Sequence, residues 1–257
     1  MSDTTRKVPR DRPRVAVVLA GGLGTRMRRP DLPKALVPVG GRPMLARVLT
    51  GLARAGFTRT VVVVGHMGAM VRDELGGVHD GMALEYAEQA SPAGTADAAA
   101  CARARLDGVE AALLTWTDIL VPPAHYDVLA TAWRARPVAA LTTVVYGNPS
   151  VGALVEFDTA MTMTGFTEKP PGVTRGWADG GVGVFDRGFF ERFASVGVSP
   201  RGEKEIATAL RAALAAGVPV GVEKLAGPWF DLGSPEAISR CEETQPELLA
   251  LTTAEDR

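Results

Sequence analysis

The run Val15-Ala16-Val17-Val18-Leu19-Ala20, followed at once by Gly21-Gly22-Leu23-Gly24-Thr25-Arg26, constrains this chain more than any other stretch. Six apolar residues rich in β-branched side chains predict a buried strand, and the glycines after them predict a loop at its end. Glycine has no Cβ, so such a loop can bring its backbone against a ligand and turn successive N–H groups toward it. Arg26, Arg28, Arg29 and Lys34 place positive charge within a dozen residues, which outlines a phosphate-binding loop. Two familiar loops of this kind do not fit. A dinucleotide fingerprint needs a third glycine where Met27 stands, and a P-loop needs Gly-Lys-Ser/Thr, whereas Lys34 lies ten residues past Gly24.

Taken whole, residues 15–45 read A-G-G-x-G-T-R followed by P-K-A-L-V-P-V-x-x-R-P-M-L. This pattern closely resembles the signature of the sugar-1-phosphate nucleotidylyltransferases, and further landmarks of that family recur in order down to about residue 238. The resemblance implies a GT-A-like nucleotidyltransferase fold in its short form, without the C-terminal β-helix of longer members. It implies transfer of a nucleotidyl group from an NTP to a sugar 1-phosphate, with release of pyrophosphate. Ala20, Gly21, Gly22, Gly24 and Thr25 would surround the NTP. Arg26 and Lys34 would be the catalytic cations, stabilising charge on the triphosphate and at the α-phosphorus.

A length of 257 residues with 46% hydrophobic content suffices for one large domain or two small ones with a full core. A net charge of −1 leaves no global basic field, so neither nucleic acid nor a membrane surface is expected as a partner. Cys101 and Cys241 are too few and too far apart for a disulfide framework or a zinc site, which points to the cytoplasm. Residues 1–14 are polar, lack the apolar stretch of a signal peptide and read as a flexible leader. No apolar run approaches the roughly 18 residues of a membrane span. Oligomeric state is not legible.

After the glycine loop, Met44, Leu45, Val48, Leu49 and Leu52 share one helical face, and Gly56 ends that helix before the strand TVVVV at 60–64. A helix near 69–75, a strand near 83–87, an alanine-rich helix over 93–106, a strand at 111–116, a helix near 126–136 and a strand at 138–145 continue the alternation. Strands apolar throughout, alternating with helices, predict a Rossmann-like, doubly wound, mostly parallel α/β sheet covered on both faces. Short strand-like segments at 152–157, 161–168 and 181–185, set between Gly, Pro and Asp turns, predict a small mixed-sheet region embedded over one end of that sheet. Helices near 187–196 and 203–216, a strand at 218–224 and a helix with Ser234 as N-cap and Pro235 at N1 follow. The domain is expected over 15–251, with a nucleotide-binding part over about 15–146 and a sugar-side part over about 147–233.

Asp118 follows the strand AALLTW, at the carboxyl end of a central strand, where ligands of open α/β sheets collect. Its place resembles the family's Gly-Asp metal aspartate, with Thr117 where glycine is usual. Asp231, in WFDLGSPEAI, resembles the aspartate of the family's W-x-D-x-G-T/S-P-E. The resemblance implies that these two carboxylates hold Mg2+, a hard ion that keeps several waters and bridges substrate phosphates. Gln89, in EQASPAGTADA, resembles the glutamine that reads a base edge in thymidylyl- and uridylyltransferases, and an amide supplies both donor and acceptor. Gly94 and Thr95 belong equally to the Gly-Thr-Ala of guanylyl- and heptose-type members, so the base stays open.

Glu168 and Lys169, in FTEKP, resemble the family's E-K-P, which implies sugar hydroxyls for the glutamate and the sugar phosphate for the lysine. Gly152 and Asp179 fall on the flanking sugar-side segments, Asp179 where asparagine is common. His66, His79 and His125 have no mutual spacing for metal or catalysis, and Trp133, Trp177 and Trp229 read as packing. Two rival functions stand beside this one. A catalytically inactive nucleotide-sugar sensor would share the binding residues, and a GT-A-like glycosyltransferase would need a D-x-D that the lone Asp118 of TDIL does not provide. The segments matching the base and sugar sites lie about eighty residues apart, so base choice and sugar choice are expected to be separable by mutation.

Overall fold

The computed structural model describes residues 10–253. The first half forms β1 (Val15–Leu19), β2 (Pro38–Val39), β3 (Arg42–Pro43), α1 (Met44–Arg54), β4 (Arg59–Val64), α2 (Gly68–Leu75), β5 (Val78–His79), β6 (Met82–Glu88), α3 (Thr95–Cys101), β7 (Ala111–Trp116) and β8 (Ile119–Leu120). The second half forms α4 (Pro123–Ala135), β9 (Ala140–Gly147), β10 (Ala153–Phe157), β11 (Met163–Glu168), β12 (Gly176–Asp186), α5 (Arg187–Ser195), α6 (Ile206–Ala215), β13 (Val220–Lys224), β14 (Phe230–Asp231), α7 (Pro235–Thr244) and α8 (Pro246–Leu251).

β1 pairs in parallel with β4 on one side and β7 on the other, and β4 pairs in parallel with β6. Side chains of a strand alternate between faces, so Val17 and Val18 enter different cores. On one face Val18, Val62 and Leu113 pack against Leu45, Leu49 and Leu52 of α1 and Tyr126, Leu129 and Trp133 of α4. On the other, Val17, Val63 and Leu114 pack against the alanines of α3, Phe189, Phe190 and Phe193 of α5, and Leu210 of α6. The doubly wound, mostly parallel sheet with helices on both faces is thus present as expected. Its parallel strands all deliver their carboxyl ends to one edge.

The short segments of the second half do not make a separate sheet. β12 runs antiparallel to β7, with Gly183 opposite Leu114, and also antiparallel to β9 and β10, while β11 closes the edge beyond β10 and β13 pairs in parallel with β9. The expected strand at 181–185 is therefore an eleven-residue strand that carries the central sheet into the sugar-side region. Its glycines and a register shift between Asp179 and Gly183 hid its length from the sequence.

Other departures have local causes. The alanine-rich helix ends at Cys101, because the Ala102 N–H bonds Ala99 three residues back and the chain tightens into a 3-10 turn at Arg103–Arg105. α6 begins at Ile206 and not near 203, because Glu205 is extended and the Lys204 backbone is bonded to Ala93 and Ala96. α8 was not anticipated; buried Arg47 of α1 donates to Leu249 O at 2.8 Å, and to Val39 O and Gly40 O at 2.5 and 2.9 Å. The leader expected over 1–14 lies outside the described residues as far as residue 9. Beyond it, Arg10 donates to Val138 O at 2.6 Å and lies over the Trp133 ring, and Arg12 pairs with Asp127 at 2.8 Å, so that residues 10–14 are fastened to the domain. No helix among the described residues is long and apolar enough to cross a membrane.

Candidate active site

The edge where β1, β4, β6 and β7 end opens into a cleft of two lobes, of about 350 and 760 Å³, that share Arg26, Thr95, Trp116, Asp118 and Glu203. The smaller lobe takes in Gly21, Gly22, Gly24, Thr25, Lys34, Gln89 and Gly94. The larger takes in Gly152, Glu168, Lys169, Asp179 and Asp231. Ala20 is the one expected site residue that lines neither, being buried with its N–H given to Val63 O at 2.8 Å.

Packing fixes the glycine loop. A Cβ on Gly65 would lie 2.7 Å from Gly21 O, so the turns after β1 and β4 pass each other closer than side chains allow. Gly24 is left-handed at φ 61°, and a Cβ there would lie 2.9 Å from Lys34 Cβ. Gly22 has no atom within 4 Å of a would-be Cβ and faces open space.

At the junction of the lobes, the Lys34 ammonium bonds the Asp118 carboxylate, and both side chains are largely buried. Asp231 arrives from the far end of the chain. β14 pairs antiparallel with β8, setting Asp231 opposite Ile119, and Leu232 N donates to Asp118 O at 2.8 Å. A two-residue ladder therefore brings together two carboxylates that the sequence separates by more than a hundred residues. Burial and the Asp118 charge push the Asp231 carboxyl above the usual carboxylate range, while Lys34 and Arg26 pull it back. A Cβ on Gly233 would lie 2.8 Å from Asp231 Oδ1 and 3.2 Å from the Arg26 guanidinium, so this glycine lets Arg26 approach.

Two neighbouring carboxylates open to a cleft, one of them raised by burial and by the other's charge, are suited to a hard divalent cation. Among the described residues no group of three or more His, Cys, Asp or Glu side chains gathers to hold a metal. That donor set fits an ion that completes its shell with water and substrate phosphate oxygens, as Mg2+ does. Beside Asp118, the buried Thr117 hydroxyl has no hydrogen-bond partner.

Gln89 is buried at the end of β6, and its Nε2 donates to Gly94 O at 3.0 Å and Asp97 Oδ2 at 2.9 Å. Its Oε1 stays available to accept. Gly94 has φ 113°, and a Cβ there would lie 2.2 Å from Lys204 O, so this glycine is required by the neighbouring backbone. The Thr95 hydroxyl accepts from Ile206 N at 3.1 Å.

In the larger lobe, Lys169 is left-handed at φ 43°, and its N–H donates to Gly152 O at 2.8 Å. Arg201 joins the carboxylates of Glu168 and Glu205. Asp179 sits at the β12 irregularity, accepting from Thr142 Oγ1 at 3.2 Å and from the backbone of Gly180 and Gly181; burial outweighs these bonds and raises its carboxyl to about 6. Sequence reasoning missed Arg201, Glu203, Glu205 and the indoles of Trp116, Trp177 and Trp229, all of which line this lobe. The sequence expectation places Glu203 and Glu205 in the first turn of a helix near 203–216, and only the fold of 201–205 between the lobes gives these charges a site.

Comparison with known proteins follows the same outline. The family described as nucleotidyl transferase matches residues 15–247. A low-salt glycan biosynthesis nucleotidyltransferase, Agl11, of Haloferax volcanii is 30% identical over 226 residues, covering 86% of this chain and 63% of its own length. A glucose-1-phosphate thymidylyltransferase of Streptomyces antibioticus is 30% identical over 224 residues, covering 85% of this chain and 62% of its own length. The chain thus spans under two thirds of either relative. Among solved structures, a Bacillus anthracis protein assigned as glucose-1-phosphate thymidylyltransferase, in complex with sucrose, superposes with a TM-score of 0.80 at 22% identity, over 95% of this chain and 98% of that one, which bears on the fold alone.

Proposed function

The chain belongs to the nucleotidyl transferase family, and from that premise we propose that it transfers a nucleotidyl group from an NTP to a sugar 1-phosphate, releasing pyrophosphate. The observation that carries this reading is the gathering of Asp118, Asp231, Lys34 and Arg26 where the two lobes meet. One lobe is available to the nucleotide and the other to the acceptor, so the acceptor phosphate can face the α-phosphorus across the junction. A phosphate monoester has its second pKa near ~6 and is already a dianion at neutral pH, so no general base is required. The protein must align the two anions and offset their charge.

Lys34, held by Asp118, and Arg26, admitted by Gly233, supply positive charge where the attacking and leaving oxygens share negative charge in the transition state. Asp118 and Asp231 would hold Mg2+, whose contribution is to neutralise phosphate oxygens. The glycine loop would present backbone N–H groups to the triphosphate. Gln89, with its amide donors already engaged, would accept from a base N–H through Oε1, and Lys169 would meet the acceptor phosphate. Two unpaired cysteines accord with a cytoplasmic enzyme.

The test is a matrix of ATP, GTP, CTP, UTP and dTTP against sugar 1-phosphates, scored by pyrophosphate release with and without EDTA. The expected result is release for a restricted set of pairs, abolished by EDTA. Release that does not depend on an acceptor would contradict the proposal.

A further inference from the structure

The larger lobe holds more negative charge than a phosphate-bearing acceptor alone would call for. Away from the metal pair it contains Glu168, Asp179, Glu203 and Glu205 against Lys169 and Arg201. Arg201 is spent on Glu168 and Glu205, which leaves Lys169 for the acceptor phosphate. Asp179 has no cation at all: its partners are the Thr142 hydroxyl and the backbone of Gly180 and Gly181, all neutral donors. A half-buried carboxylate without a positive partner is costly, and the rise of its carboxyl to about 6 goes with that cost. A neutral amide of the same shape could read sugar hydroxyls without it.

The surroundings of Asp179 are aromatic. Trp229 Nε1 donates to Gly180 O at 2.8 Å, which fixes that indole beside the peptide following Asp179. Trp177 stands two residues earlier on β12, on the same side of the strand, and lines the same lobe. Its ring is already in contact with one ammonium, since Lys224 Nζ lies 4.8 Å from its centroid and 5.4 Å from that of Phe157. Indole faces are the best aromatic partners for a cation, and more so where water is excluded.

We infer that the acceptor carries a protonated amine in addition to its phosphate, and that Asp179, walled by Trp177 and Trp229, receives that ammonium group. The inference rests on the nucleotidyl-transfer reading for the role of the acceptor phosphate. An amino sugar 1-phosphate and an acyclic aminoalkyl phosphate share this chemistry.

Two matched pairs separate the charge from the rest of the ligand: glucosamine 1-phosphate against glucose 1-phosphate, and phosphoethanolamine against ethyl phosphate. Binding to the full chain is followed by tryptophan fluorescence, because Trp116, Trp177 and Trp229 line the lobe. The ammonium-bearing member of at least one pair is expected to bind at least tenfold more tightly, and the pair that shows it tells sugar from acyclic source. In Asp179→Asn, which keeps shape and an acceptor oxygen for the Thr142 and backbone donors, that ratio is expected to fall below threefold at an undiminished Tm. Equal or absent binding in both pairs overturns the inference, and so does a preference that survives Asp179→Asn. Pyrophosphate release from the same samples keeps the two readings apart. Turnover with the neutral members alone refutes the ammonium group and leaves nucleotidyl transfer standing; ammonium selection with no pyrophosphate from any of the five NTPs does the reverse.

Discussion

In the proposed reaction Asp118 and Asp231 would act as a unit, because burial and the neighbouring Asp118 charge raise the Asp231 carboxyl and a divalent cation between the two would offset that repulsion. Asp118→Asn and Asp231→Asn are each expected to lower kcat/KM by well over tenfold, a loss above ~1.4 kcal/mol, with little change in Tm. A variant that keeps more than a tenth of the activity would remove its residue from the metal role. Asp179 supports a prediction about stability. Its carboxyl binds protons more tightly folded than unfolded, so its contribution favours the fold at low pH and is lost as pH rises from the ordinary 3.8 through about 6. The difference corresponds to about 3 kcal/mol at about 1.4 kcal/mol per tenfold change in proton affinity. Asp179→Asn should therefore raise Tm at pH 7.5 and leave it nearly unchanged at pH 4; an equal shift at both would separate the effect from ionisation. Asp118, Asp231, Lys34 and Gln89 were legible in sequence because each lies in a motif of fixed spacing. Arg201 was not, because an arginine in a charged turn acquires a role only once the fold sets Glu168 and Glu205 on either side of it.

The turn at residues 199–205 lies between the lobes. Its Arg201 holds Glu168 in the larger lobe, while its Lys204 backbone donates to Ala93 O at 2.8 Å and accepts from Ala96 N at 2.9 Å beside the smaller one. Base choice and acceptor choice are expected to be separable from sequence distance, yet the two lobes proposed for them share this one short segment, which makes it the place to test for coupling. Arg201→Ala should raise KM for both the acceptor and the NTP, and the measurement is kcat/KM for each substrate at saturating concentrations of the other. An effect confined to the acceptor would show that the turn does not couple them. Gly94→Ala adds a Cβ where Lys204 O already stands, in a backbone region that disfavours side chains, and should cost roughly 2 kcal/mol or more in stability and weaken NTP binding. Element types were legible from periodicity, while element ends were set by such tertiary backbone contacts.

Over the whole molecule, the parallel half of the sheet was readable because its strands are apolar on both faces, and the mixed half was not, because β12 carries glycines and one long strand serves two neighbourhoods. Ile238 and Cys241 of α7 and Leu248 of α8 pack into an apolar cluster with Val37, Val39 and Met44, and α8 is held in addition by a polar tie to Arg47 that no apolar pattern announces. Arg47→Met should leave the carbonyls of Val39, Gly40 and Leu249 without their donor and lower stability by about 2–4 kcal/mol in urea unfolding, whereas a loss within ~0.5 kcal/mol would make the tie incidental. In the proposed reaction a nucleotidyl group passes to an acceptor phosphate where the lobes meet. Phosphorus NMR of one reaction containing chain, Mg2+, NTP and sugar 1-phosphate tests it most directly. NTP and acceptor are expected to disappear together while pyrophosphate and a new diphosphate diester appear in equal amounts, and Asp231→Asn is expected to abolish all four changes. Formation of orthophosphate, of pyrophosphate with a nucleoside monophosphate, or of no product while NTP binds would contradict it.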